Sequence, residues 1–477
     1  MKKEFNEERA PLLMTSFRLA FLSGVVLFAL GLGDALPLVA QSEGGRDRAA
    51  PLTAAAAVRQ ALKADPAIQA VRQQRSAAAA AVREARADWF PTLEAQAGYR
   101  RLSDNVDYTV DLPSMPGGGG QPVTFAPAIL DRYSARASVE QPLFTGFRLA
   151  NQVDAAQAQT SAADAEVAAT KTEVVFETRR AYWRLYEAQA RERAAVEALQ
   201  QLERQLTDVR NRQEAGMATE TDVLRVRARH DRVRVERIQA RNAVQTARHT
   251  LNDQIGRPLD AQVVLADTVT IDSLSLDRSR LVQMATEQRP DLEALRRRVQ
   301  ARDAEVDVAQ SGWFPQVALT GTYLYARPNE QLFPPEDQFQ GTWDVGVQLS
   351  WRLSTGGGTD AATDRAQARR LQARYELQDR RRAVAVEVRT QVQNVEQARR
   401  AVRAAETSVR SARAAYRSVQ SRAGEGMAIV SDLLDAERAL REARAQLAAA
   451  QADYALARAA LDRAVGRGLP TDGPDEE

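Results

Sequence analysis

The sequence predicts an α+β membrane protein built from two tandem structural repeats, in which very long helices accompany pairs of short strands. The first observation is a duplication, because Trp89-Phe90-Pro91 recurs as Trp313-Phe314-Pro315, 224 residues later (313 − 89). The second is helix length, because residues 148–214 contain neither glycine nor proline, and their counterpart 359–423 is similar. The third is four short stretches of alternating apolar and polar residues. Each repeat is therefore expected to contain a helix, two strands, a long helix and a shorter helix.

The duplication also sets the expected domain boundaries. The first repeat is expected over 41–260 and the second over 276–468, with a linking segment at 261–275. Residues 1–40 are expected to be a signal peptide, and 469–477 an acidic tail.

An apolar run near the N-terminus supports the signal peptide. Residues 19–33 follow a basic start but are too few to span a bilayer as a helix, which needs about 20 residues. Leu38-Val39-Ala40 then offers a small-residue cleavage site, although an uncleaved anchor is the alternative. Since no later stretch is apolar enough for a membrane helix, contact with a membrane would have to use strands.

Composition and motifs exclude several kinds of chemistry. The 477 residues include no cysteine, which excludes disulfides, thiol catalysis and cysteine-based zinc sites, and the net charge of +2 gives no case for nucleic acid. Gly356-Gly357-Gly358 lacks the Lys-Ser/Thr of a phosphate loop. His230 and His249 lie about five turns apart on one expected helix and cannot share a metal. We therefore expect no catalytic residue, no metal and no cofactor.

The helices are expected to form four columns in each chain. At 1.5 Å per residue, residues 148–214 span about 100 Å, roughly the length of one leading and one returning helix together. Each short pair is therefore expected to stack end to end beside a long helix. In the last helix, Leu433, Leu440 and Leu447 fall seven apart, with small Ala residues between them, which predicts close packing of neighbouring helices. On the helices alone, an ordinary coiled coil or a solid four-helix bundle fits equally well.

The strands favour a membrane barrel. About ten residues, apolar on one face and aromatic near the ends, is typical of a strand that crosses an outer membrane, although any single one also fits a soluble sheet. The expected strands are 92–101, 132–145, 316–326 and 342–353. The aromatic side chains expected to face the membrane are Tyr99, Tyr133, Tyr323, Trp343 and Trp351.

Four strands cannot close a barrel, so the barrel must be shared between chains. Two chains would give eight strands with an interior filled by side chains, whereas three would give twelve strands and leave a passage. Three chains would also bring twelve helical columns together as a hollow cylinder. Residues 104–130 and 328–340 are expected to be the two outward loops.

These motifs, in this order and repeated, resemble the TolC-type outer membrane efflux proteins over roughly residues 50–468. The likeness rests on the two Trp-Phe-Pro motifs, on Thr145-Gly146 and Thr355-Gly356, and on the hairpin turns at 215–224 and 426–436. The resemblance implies a homotrimer with a twelve-stranded β-barrel in the outer membrane and a long antiparallel α-helical barrel in the periplasm. It also implies a passive exit duct for efflux or type I secretion, without enzymatic activity. The implied partners are a periplasmic adaptor, an inner-membrane transporter of RND, ABC or MFS type, and outer membrane lipid.

The resemblance also implies roles for particular residues. Asp432 and Asp435 share a helix face near one turn and would form the periplasmic gate, although solvated acids are the plain alternative. Ala428 stands where a well-known member of the family carries an arginine that helps to latch the gate. The two hairpin tips would dock on the adaptor through Gly216, Met217, Ala218, Gly426, Met427 and Ala428. The barrel-entry motifs are Trp89, Phe90, Pro91, Trp313, Phe314 and Pro315.

Two other functions compete with a duct. A periplasmic adaptor also has long hairpin helices, but it would show one hairpin between small all-β domains. A structural coiled coil that bridges the envelope would not need alternating Trp and Tyr strands. The sequence does not name the exported substrate.

Overall fold

A computed structural model describes residues 51–104, 108–111, 122–126, 128–271, 277–425 and 427–467. The expected signal peptide, the acidic tail and Gly426 lie outside these described residues.

The helices of the first repeat run without interruption, except where proline breaks the first of them. Helix α1 (Ala54–Ala64) and helix α2 (Pro66–Ala87) meet at Asp65, whose carboxylate accepts the Ala67 N–H at 2.7 Å. The expected single leading helix is therefore two helices, because Pro66 cannot continue the first and suits the first turn of the second. Helices α3 (Arg148–Glu214) and α4 (Glu220–Gln254) follow the strands.

The second repeat has the same plan. Helix α5 (Arg278–Gln288) and helix α6 (Pro290–Gln310) again divide at a proline, this time after Arg289. Helix α7 (Gly358–Gly424) has 67 residues, as does α3, and helix α8 (Val430–Val465) returns beside it. At 1.5 Å per residue, both long helices extend about 100 Å.

The long helices form the central packing partners of the chain. In the half nearer the strands, neighbours follow the order α2, α3, α6, α7; in the other half they follow α4, α3, α8, α7. The returning helices end where the leading helices break. A Cβ added at Gly256, just after α4, would lie 2.5 Å from the Cβ of Ala64, so the approach requires glycine.

Two apolar clusters fill this junction level. One joins α1, α3 and the end of α4 through Ala57, Tyr182 and Leu251, all fully buried. The other joins the start of α6, α7 and the end of α8 through Leu292, Val388 and Leu461. The Tyr182 hydroxyl donates to the Leu52 carbonyl oxygen at 2.9 Å, and burial raises the pKa of Tyr182 to about 12. The two larger apolar clusters of the helical stack therefore lie at this level.

Four strands form an antiparallel sheet at one end of the helices. Its order is β1 (Thr92–Arg101), β4 (Asp131–Phe144), β5 (Gln316–Arg327) and β6 (Gln340–Ser350). Trp351 lies just beyond β6, and its indole N–H donates to the Trp313 carbonyl oxygen at 3.1 Å. A separate hairpin of β2 (Tyr108–Asp111) and β3 (Pro122–Ala126) occupies part of the first expected loop. Among the helices of the described ranges, none is long and apolar enough to cross a membrane.

Candidate functional site

One face of the four-stranded sheet is apolar across all four strands. The register aligns Leu93 with Val139, Tyr99 with Tyr133, and Tyr323 with both Ala137 and Trp343, so the apolar sets of all four strands share a side. This face is open to solvent in a single chain, and Leu93 and Trp343 are 77% and 75% exposed. Such a broad apolar face requires a nonpolar surrounding.

Both edges of this sheet are available for pairing. Strand β1 pairs only with β4, and β6 pairs only with β5, among the described strands. Each strand in the order β1, β4, β5, β6 runs antiparallel to its neighbour, so β1 and β6 run in opposite directions. If β6 of one copy lay beside β1 of the next, that pair would also be antiparallel. Repeating that contact extends the sheet towards closure, which removes its free edges.

The exposed apolar side chains of the helices lie on the two outer columns. Within the described parts of helices α1 to α8, the exposed large apolar side chains all lie on α4 or α7. They are Leu224, Val235, Ile238, Leu371, Tyr375 and Val386. In the half away from the strands, α4 and α7 are the two outermost helices of the row, so both sides of the chain are suited to contact another copy there.

The barrel-entry motifs lie where helices pass into strands. The Trp89 carbonyl oxygen accepts the Gln141 side-chain amide at 2.9 Å, which ties the first motif to β4. In the second motif, the ring of Phe314 meets that of Phe147 edge-on, with centroids 6.0 Å apart. Gly146 lies at a φ of 62°, and a Cβ there would be 2.6 Å from the Cβ of Phe314. The Thr-Gly and Trp-Phe-Pro motifs thus meet in space.

The two hairpin tips have matching backbones. Met217 N–H donates to the Arg212 carbonyl oxygen, and Met427 N–H donates to that of Arg422, both at 2.7 Å. The side chains of Met217 and Met427 are 74% and 65% exposed. Gly216 has a φ of 73°, which glycine adopts without strain. Ala218 and Ala428 are half-buried beside these tips.

The two tips differ in how an equivalent aspartate is used. Asp222 closes a capping box, because its carboxylate accepts the Thr219 N–H at 3.1 Å while the Thr219 hydroxyl accepts the Asp222 N–H. These hydrogen bonds hold the pKa of Asp222 below its usual value. Asp432 occupies the same place in α8, but Ile429 replaces the threonine and α8 has no side-chain cap.

The carboxylates of Asp432 and Asp435 are therefore exposed on the first turns of α8. No cation lies within ion-pair distance of either one in the described part of this single chain. A threefold assembly would bring six such carboxylates to one level near the tips. This geometry suits a ring that attracts cations.

Sequence reasoning missed a buried charged cluster between the hairpins. Glu437 of α8 is 4% exposed, and its Oε1 lies 4.0 Å from the Arg441 Nε. Arg441 also forms an ion pair with Glu236 of α4. The positive charge of Arg229 acts on the Glu437 carboxylate as well. Burial raises the pKa of Glu437, and the charges of Arg441 and Arg229 offset that effect only in part. In the sequence, Glu437 is indistinguishable from the many solvated acids of these helices.

A cavity of about 560 Å³ lies beside this cluster, between α3, α7 and the start of α8. The Gln201 side chain donates to the Tyr416 hydroxyl across it, and Arg212 Nη1 donates to the Ala423 carbonyl oxygen at 3.3 Å. These two bonds join the first hairpin to the second near the tips. Ala428 contributes to the wall of the cavity.

In the part of the chain that the structure describes, no three potential metal-ligating side chains come together.

Comparison with known proteins gives the family context of these features. The family model described as outer membrane efflux protein matches residues 57–257 and 281–467. Outer membrane protein TolC of Vibrio cholerae is 27% identical over 85% of this chain and 89% of its own length. The alkaline protease secretion protein AprF of Pseudomonas aeruginosa is 27% identical over 69% of each chain.

Solved structures share the fold. The outer membrane protein VceC of Vibrio cholerae superposes with a TM-score of 0.70 at 20% identity, over 87% of this chain and 97% of that one. The MtrE outer membrane channel of Neisseria gonorrhoeae, in its open state, also gives 0.70, at 21% identity over 87% and 89%. The predicted fold class, long helices with a four-stranded antiparallel contribution to a barrel, is confirmed.

Proposed function

The chain belongs to the outer membrane efflux protein family, and from that premise we infer that it is a passive exit duct of the outer membrane. Three copies form the duct. Their twelve strands close a β-barrel in the membrane, and their helices continue it as an α-helical barrel in the periplasm.

The observation that carries this function is the sheet of the single chain. Its apolar face is continuous over four strands, and both of its edge strands pair on one side only within the described chain. A soluble protein would cover this face with a second layer. A membrane barrel instead turns it towards lipid and closes the edges with neighbouring copies.

The duct works with two further proteins, a periplasmic adaptor and an inner-membrane transporter. The chain is not itself an adaptor, because it matches the duct family over both of its repeats. The curated relatives include both efflux and secretion proteins, for example AprF. The proposed function is therefore an exit duct for efflux or for type I secretion.

We propose no enzymatic activity for the duct. Its family is a channel family rather than an enzyme family. Energy for transport comes from the inner-membrane partner, while the duct contributes a passage, a gate and a docking rim. We assign the gate to Asp432 and Asp435, whose carboxylates are uncommitted. We assign the docking rim to the tips that carry Met217 and Met427.

Assembly tests this function directly. Protein extracted from outer membranes in detergent should migrate as a trimer unheated and as a monomer after boiling, and it should conduct ions in planar bilayers. Replacing Val235 and Ile238 by Glu on the outer column α4 should prevent trimer formation, because charges would be buried against the next copy. Leucine at both positions is the control. A wild-type chain that stayed monomeric in water without detergent would overturn the proposal.

A further inference from the structure

The polar face of the four-stranded sheet carries an unequal distribution of charge. Its side chains alternate with those of the apolar face along every strand. Six of them are charged within the four strands. They are Glu94, Arg100, Arg132, Arg136, Glu140 and Asp344.

The acids lie towards the helical end of the strands. Glu94, Ser138, Thr322 and Asp344 are aligned across the sheet, so that two carboxylates share one register line. Glu140 lies one line closer to the helices, opposite Thr92. Each chain therefore contributes three carboxylates to this zone.

Arg136 lies one register line farther from the helices than Glu94 and Asp344. It is the first basic residue beyond the carboxylates. It is aligned with Gln96, Leu324 and Thr342, all of which are uncharged. Two residues along a strand correspond to about 7 Å. Arg136 is exposed and forms no ion pair among the described residues. Arg132, further out, is already paired with Glu330.

We propose that Arg136 sets the charge selectivity of the β-barrel, as a threefold basic ring that opposes cations above a ring of carboxylates. This rests on the proposed trimer, which turns the polar face towards the passage. Rings of like charge in a pore select ions of the opposite sign. Adjacent lines lie within the Debye length of about 8 Å at physiological salt, so the field changes sign over a short distance.

Two serines on β4 allow this field to be measured locally. Ser138 lies between Arg136 and Glu140, and Ser134 lies between Arg132 and Arg136, all on the polar face. The chain contains no cysteine, so Ser138→Cys or Ser134→Cys adds a single thiol. The probes are a cationic and an anionic water-soluble methanethiosulfonate, applied to the purified trimer.

Cysteine at 138 should prefer the cationic reagent, relative to cysteine at 134, by about threefold or more in the ratio of rates. Because Arg136 lies two residues from each thiol, adding Arg136→Gln should raise the ratio of cationic to anionic rates at both positions. Adding Arg101→Gln instead is the matched control, because Arg101 lies on the apolar face, and it should leave both ratios unchanged. Ratios that do not rise at either position when Arg136→Gln is added would overturn the proposal.

Ion permeation provides an independent test of the role of Arg136. In a potassium chloride gradient across a planar bilayer, Arg136→Gln should shift the reversal potential towards potassium selectivity, and Asp344→Asn should shift it towards chloride. Both are made with Asp432→Asn and Asp435→Asn, so that the gate carboxylates do not contribute. Shifts of the same sign, or no shift, would contradict the assignment of Arg136. Absence of any conductance, with thiols at 134 and 138 unreactive, would instead contradict the duct itself.

Discussion

Arg289 and Ala464 join the two ends of the second repeat. Arg289 Nη1 donates to the Ala464 main-chain carbonyl oxygen at 3.0 Å, so the break between α5 and α6 satisfies a terminal carbonyl of α8. Nearby, a Cβ added at Gly466 would be only 3.2 Å from the Arg289 backbone. The end of the returning helix is thus seated on the junction of the leading helices.

Removing the Arg289 guanidinium is expected to loosen that joint. Arg289 is 6% exposed and also bonds Asp291 at 2.9 Å and Glu387 at 2.9 Å. Arg289→Met leaves the Ala464 carbonyl oxygen and two half-buried carboxylates with fewer partners, which we expect to destabilise the fold by about 2 kcal/mol. The melting temperature of the purified trimer, followed by circular dichroism, should fall clearly.

The control for this change is Arg438→Met. Arg438 pairs with Glu442 at 2.8 Å, but both side chains are 56% exposed. Such exposed pairs contribute little to stability because solvent screens them. Equal melting temperatures for the two variants would contradict a structural role for the Arg289 joint.

Much of this fold can be anticipated from local patterns. Residues 148–214 lack glycine and proline, and α3 spans them as one helix. The alternation in 316–325 is strong because large apolar side chains occupy one face, and β5 is found there. These elements depend mainly on neighbours in sequence, which a pattern can reveal.

Contacts between distant residues cannot be anticipated in that way. Glu437 and Arg229 lie on different hairpins, and nothing in their local sequence distinguishes them from solvated neighbours. Arg289 looks like one more arginine before a proline until the end of α8 packs against it. The hairpin of β2 and β3 lies in a glycine-rich stretch without strong alternation, from which the sequence predicts a loop.

The stability of the hairpins should depend on pH through Glu437. Burial raises its pKa above the usual 4.5, so the folded chain retains this proton to higher pH than the unfolded chain. Stability from this group is therefore fully present at low pH and is lost as pH rises from about 4.5 upward. Glu437→Gln should melt like wild type at low pH and at a higher temperature near neutral pH.

Glu442 provides a control of opposite sign. Its hydrogen bond from Arg438 holds its pKa below the usual value, so its contribution is present above 4.5 and lost as pH falls. Glu442→Gln should therefore be no more stable than wild type near neutral pH. If Glu437→Gln and Glu442→Gln gave the same pH profile, the buried carboxylate would not control hairpin stability.

Charge at the two tip methionines is expected to block export without preventing assembly. The side chains of Met217 and Met427 are exposed on the two turns, and methionine is an adaptable contact residue. Met217→Glu with Met427→Glu should leave the heat-modifiable trimer intact. In a strain without its own duct, the double variant should fail to restore efflux or secretion.

The matched variant keeps both positions apolar. Met217→Leu with Met427→Leu preserves size and hydrophobicity and should restore export. Export by the glutamate variant at the wild-type level would remove these tips from the docking rim.

The exposed carboxylates of Asp432 and Asp435 are expected to control block by multivalent cations. Asp222 is committed to its capping box with Thr219, whereas Asp432 has Ile429 in place of that threonine and remains exposed beside Asp435. Asp432→Asn with Asp435→Asn removes six negative charges from the gate of a trimer. Multivalent cations should therefore block single-channel current at least tenfold less strongly, which corresponds to a loss of about 1.4 kcal/mol in the free energy of cation binding. Asp222→Asn should leave the block unchanged, because its carboxylate already bonds within its own turn. A block that is equally strong in all three channels would place the constriction away from Asp432 and Asp435.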